Sequence, residues 1–317
     1  MKNIVFLDAE TIPEHIPFPP FSFTHTYTGY PFTENSQVVE RAREAEIIIS
    51  NKVRLDAAIL NQLPKLEMIA VAATGVDNID LETCAKQKVA VANVRGYATT
   101  TVPEHVFAMA FALRRNLLSY HNDVMAGAWA AGRQFCFLTH RIGDMAGATL
   151  GIFGKGSLGT AVGKLAQALG MQVLYGEHKE AKSVREGYVA FEEVLKKADI
   201  VTLHCPLTPR TKLMIGEKEL ALMKKDAILI NAGRGGLVDE KALAAALLAR
   251  SLGGAGVDVL SKEPPAEGNV LLNPAIPNLL ITPHIAWGSD SAITTLVAQV
   301  VENINLFVAG TPIRLLA

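Results

Sequence analysis

The stretch Thr149–Lys179, TLGIFGKGSLGTAVGKLAQALGMQVLYGEHK, decides the fold of this chain. It begins with the apolar run Thr149–Phe153, which is typical of a buried parallel strand. Apolar residues at helical spacing follow between Leu158 and Leu169. A second apolar run, Val173–Tyr175, predicts another strand. Strand, helix and strand in this order predict a βαβ unit, which builds parallel sheets.

The turn between the first strand and the helix carries the pattern G-x-G-x-x-G. Gly154 allows the tight turn, Gly156 lets the backbone approach a pyrophosphate, and Gly159 lets helix and strand pack closely. Glu177 ends the second strand, where an acid accepts a hydrogen bond from a ribose hydroxyl. Together these features predict a dinucleotide site. The alternative is a glycine-rich turn without a ligand, since 25 of the 317 residues are glycine.

Two basic residues leave the choice of dinucleotide open. His178 and Lys179 directly follow Glu177. Basic side chains there could face a 2′-phosphate, which NADP carries and NAD lacks, whereas the acid would repel that phosphate. The pattern favours NAD and leaves NADP open. The alternative for His178 and Lys179 is a solvated loop.

Composition excludes several classes of protein. The formal net charge is −1, from 30 basic and 31 acidic residues, and there is no basic stripe, so we expect no nucleic-acid partner. No C-x-x-C pattern occurs among the three cysteines, so we predict no metal site, and a reducing, cytoplasmic location is favoured. No signal-peptide pattern and no apolar run of about 18 residues is present, so we expect no membrane partner.

Two series of alternating strands and helices predict two domains. The first hundred residues form one series, and the opening stretch begins the second. The predicted fold is α/β, with two doubly wound parallel-sheet domains, a flavodoxin-like substrate domain and a Rossmann cofactor domain, and a cleft between them. The substrate domain is predicted at residues 1–98 plus 289–317 and the cofactor domain at residues 99–288. Further strands of the second series are predicted at Ile200–Leu203, Ala227–Ile230, Gly256–Val259 and Leu279–Thr282.

The region between the two series predicts a contact with a second subunit. Residues 102–126 read as one long helix that is apolar nearly all round, which indicates burial on several sides. This helix either lies between domains or forms a subunit interface. Residues 127–147 are irregular and carry Trp129, Phe135 and Phe137, so they could wrap around a partner. We therefore expect a homodimer.

Polar residues that directly follow strands of the second domain are candidates for chemistry. Arg234 follows one strand, and its planar guanidinium suits a carboxylate; the alternative is a surface salt bridge. Glu263 and His284 follow two later strands and can therefore converge. A carboxylate beside an imidazole favours the imidazolium and fixes its orientation, which makes an acid–base unit. The alternative for His284 is a structural histidine.

At these motifs the chain resembles the D-isomer-specific 2-hydroxyacid dehydrogenase family over essentially its full length. The residues that carry the resemblance are GKGSLG (154–159), HCPLT (204–208), NAGRG (231–235), Glu263-Pro264, TPHIAW (282–287) and ATGVD (73–77). Within the family, HIAW and SNKVRLD (50–56) look most like the glycerate dehydrogenase/hydroxypyruvate reductase branch. The resemblance implies hydride transfer between NAD(P) and a small D-2-hydroxy acid or 2-keto acid, with hydroxypyruvate or glyoxylate as substrate.

The resemblance also assigns roles to single residues. Arg234 would bind the substrate carboxylate and polarise the ketone, His284 would be the general acid in reduction, and Glu263 would pair with His284. The other implied substrate contacts are Lys52, Thr74, Gly75, Val76 and Trp287. The implied cofactor contacts are Thr101, Gly154, Gly156, Ser157, Leu158, Gly159, Glu177, Pro206, Ala232, Asp258 and His284.

Two alternatives remain at this point. The enzyme could act on another keto acid, such as that of lactate, phosphoglycerate or a branched hydroxy acid. A protein of a different class, an NAD(H)-sensing corepressor or scaffold, shares the fold and the three residues Arg234, Glu263 and His284. A panel of keto acids would discriminate among these functions.

Overall fold

Strands and helices alternate along the chain in the computed structural model, which describes residues 1–317. The strands are β1 (Lys2–Phe6), β2 (His25–Gly29), β3 (Ile47–Ser50), β4 (Met68–Val71), β5 (Ala90–Ala92), β6 (Thr149–Phe153), β7 (Gln172–Gly176), β8 (Ile200–Leu203), β9 (Ile228–Asn231), β10 (Gly254–Val257) and β11 (Leu279–Ile281). The helices are α1 (Val38–Ala42), α2 (Ala57–Leu60), α3 (Leu81–Gln87), α4 (Thr101–Arg114), α5 (Leu117–Met125), α6 (Ala128–Ala131), α7 (Ser157–Ala168), α8 (Phe191–Lys197), α9 (Glu217–Leu222), α10 (Glu240–Leu248) and α11 (Asp290–Val308).

The chain divides into two units, residues 1–98 with 288–317, and residues 99–287. The second unit ends at residue 287, whereas the sequence predicts its end at residue 288, one residue later. In the first unit five parallel strands pair in the order β2-β1-β3-β4-β5. This is the flavodoxin-like order, whose switch point lies between β1 and β3. Strands β3 and β4 are buried along their whole length, as both faces of a parallel sheet are covered.

In the second unit six parallel strands pair in the order β11-β10-β9-β8-β6-β7. Val189 extends this sheet beyond β7, because its N–H donates to the Tyr175 carbonyl and its carbonyl accepts from the Glu177 N–H, both at 2.8 Å. With Val189 counted as a rudimentary third strand, the order from that edge is third, second, first, fourth and onwards, which is the Rossmann order. The switch point therefore lies between β6 and β8.

The single helix predicted over residues 102–126 is wrong. Helix α4 ends at Arg114 and α5 begins at Leu117, with Asn116 between them at φ 50°. A left-handed residue cannot continue a right-handed helix. The Asn116 Nδ2 also donates to the Arg141 carbonyl at 2.6 Å, which fixes the break. The apolar pattern runs across the break, and asparagine is only a moderately poor helix former, so the sequence pattern does not reveal it.

Helix α11 is long and apolar enough to cross a membrane by length and composition alone. Its apolar face is instead part of the core of the first unit. Leu296, Val297 and Ile304 on this face are fully buried. Asn303, also buried, donates from Nδ2 to the Asn93 carbonyl at 3.0 Å. We conclude that α11 is a core helix of this unit.

Candidate active site

The glycine turn directly follows β6, and two of its glycines have no room for a side chain. A Cβ on Gly154 would lie 2.5 Å from the His204 carbonyl group, and this glycine has φ 104°. A Cβ on Gly159 would lie 1.9 Å from the Gly154 carbonyl oxygen. Gly156 is different, because nothing lies within 4 Å of its missing Cβ. The turn is therefore tight on the sheet side and open where a ligand would approach.

Helix α7 begins in this turn, at Ser157, and no side chain caps its N-terminus. The N–H groups of a first helical turn carry partial positive charge and bind phosphate. Here the first N–H groups of the helix, including those of Ser157 and Leu158, directly follow Gly156, beside which there is open space. The residues present thus fit the pyrophosphate of a dinucleotide.

A cavity of about 340 Å³ extends from the glycine turn past the ends of β7 and β8. Its lining includes the predicted cofactor residues Gly154, Gly156, Glu177 and Pro206. The cavity lies at the carboxyl ends of the strands beside the switch point, where open α/β sheets bind their ligands. The adenosine half of a dinucleotide fits this place in the fold.

His204 also lines the cavity, but it is unsuited to proton transfer. Its Nε2 lies 3.0 Å from the Thr202 hydroxyl, and its Nδ1 is buried without a partner. Burial lowers the pKa of His204 to about 4. The imidazole is therefore neutral near pH 7 and lacks the second ring proton that an imidazolium gives up as a general acid.

Glu177, the predicted ribose acceptor, is bound by Arg185. The Arg185 Nε and Nη2 each donate to a different carboxylate oxygen at 2.7 Å. The N–H groups of His178 and Arg185 add further bonds at 2.9 and 3.2 Å. The guanidinium of Arg185 lowers the pKa of Glu177 to about 2. No sequence signal pointed to this pair, because Arg185 stands in a loop without periodicity.

Glu263 and His284, which the sequence predicts to converge, are in contact. The His284 Nδ1 lies 2.6 Å from the Glu263 Oε2. The other carboxylate oxygen of Glu263 accepts from the Leu260 N–H at 2.8 Å. The imidazole is thus oriented through Nδ1, which leaves Nε2 for a substrate. A carboxylate in this position keeps the ring in one orientation.

Asp258 holds the loop that carries His284. His284 has φ 57°, a left-handed conformation that a non-glycine residue adopts only where its surroundings impose it. The Asp258 carboxylate accepts from the Thr282 hydroxyl at 2.6 Å and from the N–H groups of Ile285 and Ala286 at 2.9 Å. The sequence predicts Asp258 within the strand Gly256–Val259. In the structure β10 ends at Val257, so Asp258 directly follows the strand. Its predicted contact with the nicotinamide stays a prediction.

Two further predicted ligand contacts hold the same loop. The Thr101 hydroxyl donates to the Ala286 carbonyl at 3.3 Å. The indole Nε1 of Trp287 donates to the His284 carbonyl at 2.9 Å. Both side chains therefore support the position of His284, and their contacts with substrate or cofactor remain predictions.

Arg234 lies in the loop after β9, next to the loop of Glu263. The Asn231 Nδ2 fixes the turn by donating to the Arg234 carbonyl at 2.9 Å, and the Arg234 Nη1 donates to the Gly233 carbonyl at 2.9 Å. A Cβ on Gly235 would lie 2.0 Å from the Leu260 carbonyl, so the two loops pack directly. Ala232 is half-buried in the same turn. Arg234, Glu263 and His284 thus follow three neighbouring strands, at one edge of the sheet.

In the first unit, Asp8 organises the loop that contains Lys52. The Asp8 carboxylate accepts from the Asn51 N–H at 2.9 Å and from the Lys52 N–H at 2.7 Å. Burial raises the pKa of Asp8, and these N–H donors oppose that rise. The Lys52 side chain, a predicted substrate contact, is exposed at the switch point of this sheet.

The loop after β4 presents three backbone N–H groups. The Thr74 hydroxyl donates to the Val94 carbonyl at 2.8 Å, and the Asn93 Nδ2 donates to the Thr74 carbonyl at 2.7 Å. The N–H groups of Thr74, Gly75 and Val76 bond to no other residue of the chain. Successive backbone N–H groups in a turn form an anion-binding site, so this loop suits a carboxylate.

Comparison with known proteins identifies the family. The model of the D-isomer specific 2-hydroxyacid dehydrogenase, NAD binding domain, matches residues 107–286. A Haemophilus influenzae protein that is named as a 2-hydroxyacid dehydrogenase is 54% identical over 308 residues, which cover 96% of this chain and 98% of that protein. The chain belongs to the D-isomer-specific 2-hydroxyacid dehydrogenase family. It is therefore an NAD-dependent oxidoreductase, as its glycine turn and the Glu263–His284 contact suggest.

Two further relatives of this 2-hydroxyacid dehydrogenase are informative. The glycerate dehydrogenase of Methylorubrum extorquens is 47% identical over 312 residues, which cover 98% of both chains. The crystal structure of D-lactate dehydrogenase from Aquifex aeolicus, complexed with NAD and lactic acid, has a TM-score of 0.82 at 28% identity. The match covers 98% of this chain and 96% of that one. Similarity to the Methylorubrum extorquens protein supports the glycerate dehydrogenase branch of the family.

Proposed function

We propose that this 2-hydroxyacid dehydrogenase reduces hydroxypyruvate or glyoxylate to the corresponding 2-hydroxy acid with NADH. The contact of His284 with Glu263 at 2.6 Å, on loops beside that of Arg234, carries the proposal. An oriented imidazole, with an arginine on a neighbouring loop, supplies the proton transfer and charge stabilisation that reduction of a keto acid needs. The similarity to glycerate dehydrogenase favours hydroxypyruvate or glyoxylate over lactate-type substrates.

The bound nicotinamide supplies or accepts the hydride at the substrate carbon. During reduction, His284 gives the proton on Nε2 to the keto oxygen, and during oxidation it takes a proton from the hydroxyl. Glu263 holds the ring through Nδ1 and so keeps Nε2 available to the substrate. Arg234 binds the substrate carboxylate and offsets the negative charge that develops on the keto oxygen.

We propose the remaining contacts on the same basis. In the first unit, the N–H groups of Thr74, Gly75 and Val76 bind a substrate carboxylate, and Lys52 stands near the sheet edge that would receive it. In the second unit, the glycine turn with Ser157 and Leu158 binds the pyrophosphate, and Pro206 borders the adenosine. Contacts with the nicotinamide end are assigned to Thr101, Ala232 and Asp258, and Trp287 bounds the substrate.

A panel of keto acids tests the substrate. We expect kcat/KM with NADH to be highest for hydroxypyruvate or glyoxylate, and about tenfold or more above that for pyruvate. Hydroxypyruvate carries a hydroxyl in place of a pyruvate hydrogen, and a site that binds this hydroxyl rejects the analogue without it. Glyoxylate lacks the methyl group of pyruvate and so needs less space. Fastest turnover of pyruvate or of a branched keto acid would assign another substrate. Binding of NADH without turnover of any keto acid would favour the sensor or scaffold function.

We propose that the enzyme is a homodimer assembled through residues 102–147. This region carries large exposed apolar side chains: Leu117, Leu118, Met125, Trp129, Phe135 and Leu138. Soluble monomers rarely expose apolar side chains in such number on one continuous segment. Phe135 and Leu138 are 87% and 77% exposed, so a second copy is the occupant that would cover them.

The mass in solution tests this assembly. We expect twice the chain mass of 34.0 kDa by light scattering coupled to gel filtration. The double change Phe135→Asp with Leu138→Asp is expected to yield monomers, because it places charge in an apolar interface. Phe32→Asp is the matched control, since Phe32 is exposed in the other unit. A wild-type protein of single-chain mass would refute the dimer.

We also propose a cytoplasmic location. Cys84 is buried, Cys205 is half-buried and Cys136 is exposed, and all three are free thiols. Free thiols are typical of a reducing compartment.

A further inference from the structure

The Glu177 carboxylate, at the end of β7, has no acceptor site left for a ribose. An ionised carboxylate has about four lone-pair sites. Four donors use them: the His178 N–H, the Arg185 N–H, and the Arg185 Nε and Nη2. The side chain is only 3% exposed. A ribose hydroxyl that needs an acceptor, as in NAD recognition by an acid here, does not find one on Glu177.

Arg185 instead presents donors and positive charge at this end of the cavity. A guanidinium has five N–H groups, and Glu177 engages two of them through the Arg185 side chain. The remaining N–H groups belong to a side chain that is 54% exposed and lines the cavity. The guanidinium stacks over the Tyr188 ring at 4.1 Å, which restricts its movement.

The surrounding charges favour an additional anion. Lys155, Lys179, Arg185 and Arg210 line the cavity, together with only two carboxylates, Glu177 and Glu180. Lys179 pairs with Glu219, outside the cavity, at 2.7 Å. Lys155 lies over the rings of Tyr175 and Tyr188 rather than beside an acid. The lining therefore has an excess of positive charge that matches a phosphate monoester.

The pair also removes the repulsion that a lone acid would cause. The pKa of Glu177 is about 2, so the carboxylate is ionised near pH 7 and pairs with Arg185 there. Its charge is neutralised by the guanidinium at 2.7 Å. A 2′-phosphate would meet the free N–H groups of Arg185 and not an exposed carboxylate. Glu177, which the sequence pattern predicts to favour NAD, therefore does not repel NADP.

We propose that the Glu177–Arg185 pair makes this pocket a 2′-phosphate site, so that the enzyme binds NADPH at least as tightly as NADH. The 2′-phosphate accepts from the free N–H groups of Arg185, and Lys155 and Arg210 add attraction at longer range. The inference rests on the proposed function as a nicotinamide-dependent reductase and adds a second cofactor to it.

Binding of the two cofactors without keto acid is the first test. The fluorescence of the reduced nicotinamide gives a dissociation constant for NADPH and one for NADH. We expect the NADPH constant to be equal to or smaller than the NADH constant. NADPH binding that is measurably weaker than NADH binding overturns the proposal.

Substitution of Arg185 is the second test. Arg185→Ala removes the donors and exposes the Glu177 carboxylate, so NADPH binding should weaken by about tenfold or more while NADH binding is retained. Lys182→Ala is the matched control, because Lys182 is exposed in the same loop, outside the cavity, and its loss changes the net charge equally. An equal effect of both substitutions on NADPH would show only general charge attraction and overturn the assignment.

A third variant and the pH dependence complete the design. Glu177→Gln leaves Arg185 in place, so it should retain NADPH binding, and loss of NADPH binding in this variant would contradict the proposal. The ratio of the two dissociation constants should stay constant from about pH 7 upward, because the 2′-phosphate, with a second pKa of about 6, is then fully ionised and the lowered pKa keeps Glu177 ionised as well. Reduction of hydroxypyruvate with NADH is measured separately. The cofactor inference can therefore fail while the proposed function stands, and the reverse.

Discussion

Replacing His284 with alanine is expected to lower kcat for keto-acid reduction by about 10²–10⁴-fold. The change removes the proton donor, and the keto oxygen would have to take its proton from water. The dissociation constant for NADH should change little, because His284 lies in the loop after β11 and the cavity at the glycine turn is lined by other residues. Steady-state kinetics with hydroxypyruvate and a fluorescence titration with NADH measure the two quantities.

Two further variants make the His284 result specific. His15→Ala removes an exposed histidine of the first unit and should leave kcat unchanged. Glu263→Gln keeps the shape of the partner but removes its charge, so it should lower kcat by less than His284→Ala does. Turnover of the His284→Ala enzyme close to the wild-type rate would show that another group donates the proton.

Arg234→Ala is expected to lower kcat/KM for the keto acid by about 10²-fold or more, because a charged donor pair to the carboxylate and keto oxygen is lost. Arg234→Lys should recover only part of this, since an ammonium is a point charge and cannot make the two parallel bonds of a guanidinium. Added guanidinium ion should partly restore the alanine variant, a readout that a merely structural arginine would not show.

The control for Arg234 is Arg43→Lys, a change at an exposed arginine that should leave kcat/KM unaltered. NADH binding to the Arg234 variants should also be retained, which separates loss of substrate recognition from loss of fold. An Arg234→Ala enzyme with wild-type kcat/KM would contradict the assignment. It would favour the alternative that Arg234 forms only a surface salt bridge.

The cofactor turn is predictable from sequence because its parts are local. Gly154, Gly156 and Gly159 stand in one βαβ unit, and the structure has β6 at the predicted bounds Thr149–Phe153. Their spacing reflects steric limits within the turn itself, such as the 1.9 Å between a Cβ on Gly159 and the Gly154 oxygen. Contacts over so few residues depend little on the rest of the fold.

The position of Arg234, Glu263 and His284 at one edge of the sheet is predictable only in part. Each directly follows a strand, and the carboxyl ends of neighbouring parallel strands meet at one sheet edge. The pattern does not predict that Asp258 holds the His284 loop, nor that His284 adopts φ 57°. Those features depend on hydrogen bonds between loops whose conformation has no periodic signal.

The broken helix and the ribose acid show the same limit. Asn116 ends the run between α4 and α5 because a residue of another loop, Arg141, binds its side chain. Glu177 stands where a ribose acceptor is expected, but Arg185 occupies its carboxylate. In both cases the deciding partner is a side chain or carbonyl that spacing does not identify.

Alternation of apolar strands and helices, the glycine turn and the polar residues after strands are enough to assign the fold and the family and to select the residues that we propose to carry the chemistry. These features depend on residues that are close together in the chain, where sterics and periodicity act directly on neighbouring residues. The orientation of His284, the support of its loop by Asp258 and the charge offered to the adenosine end depend on contacts between distant segments. Such contacts form only when the packed sheet brings the loops together, so only the tertiary structure decides them.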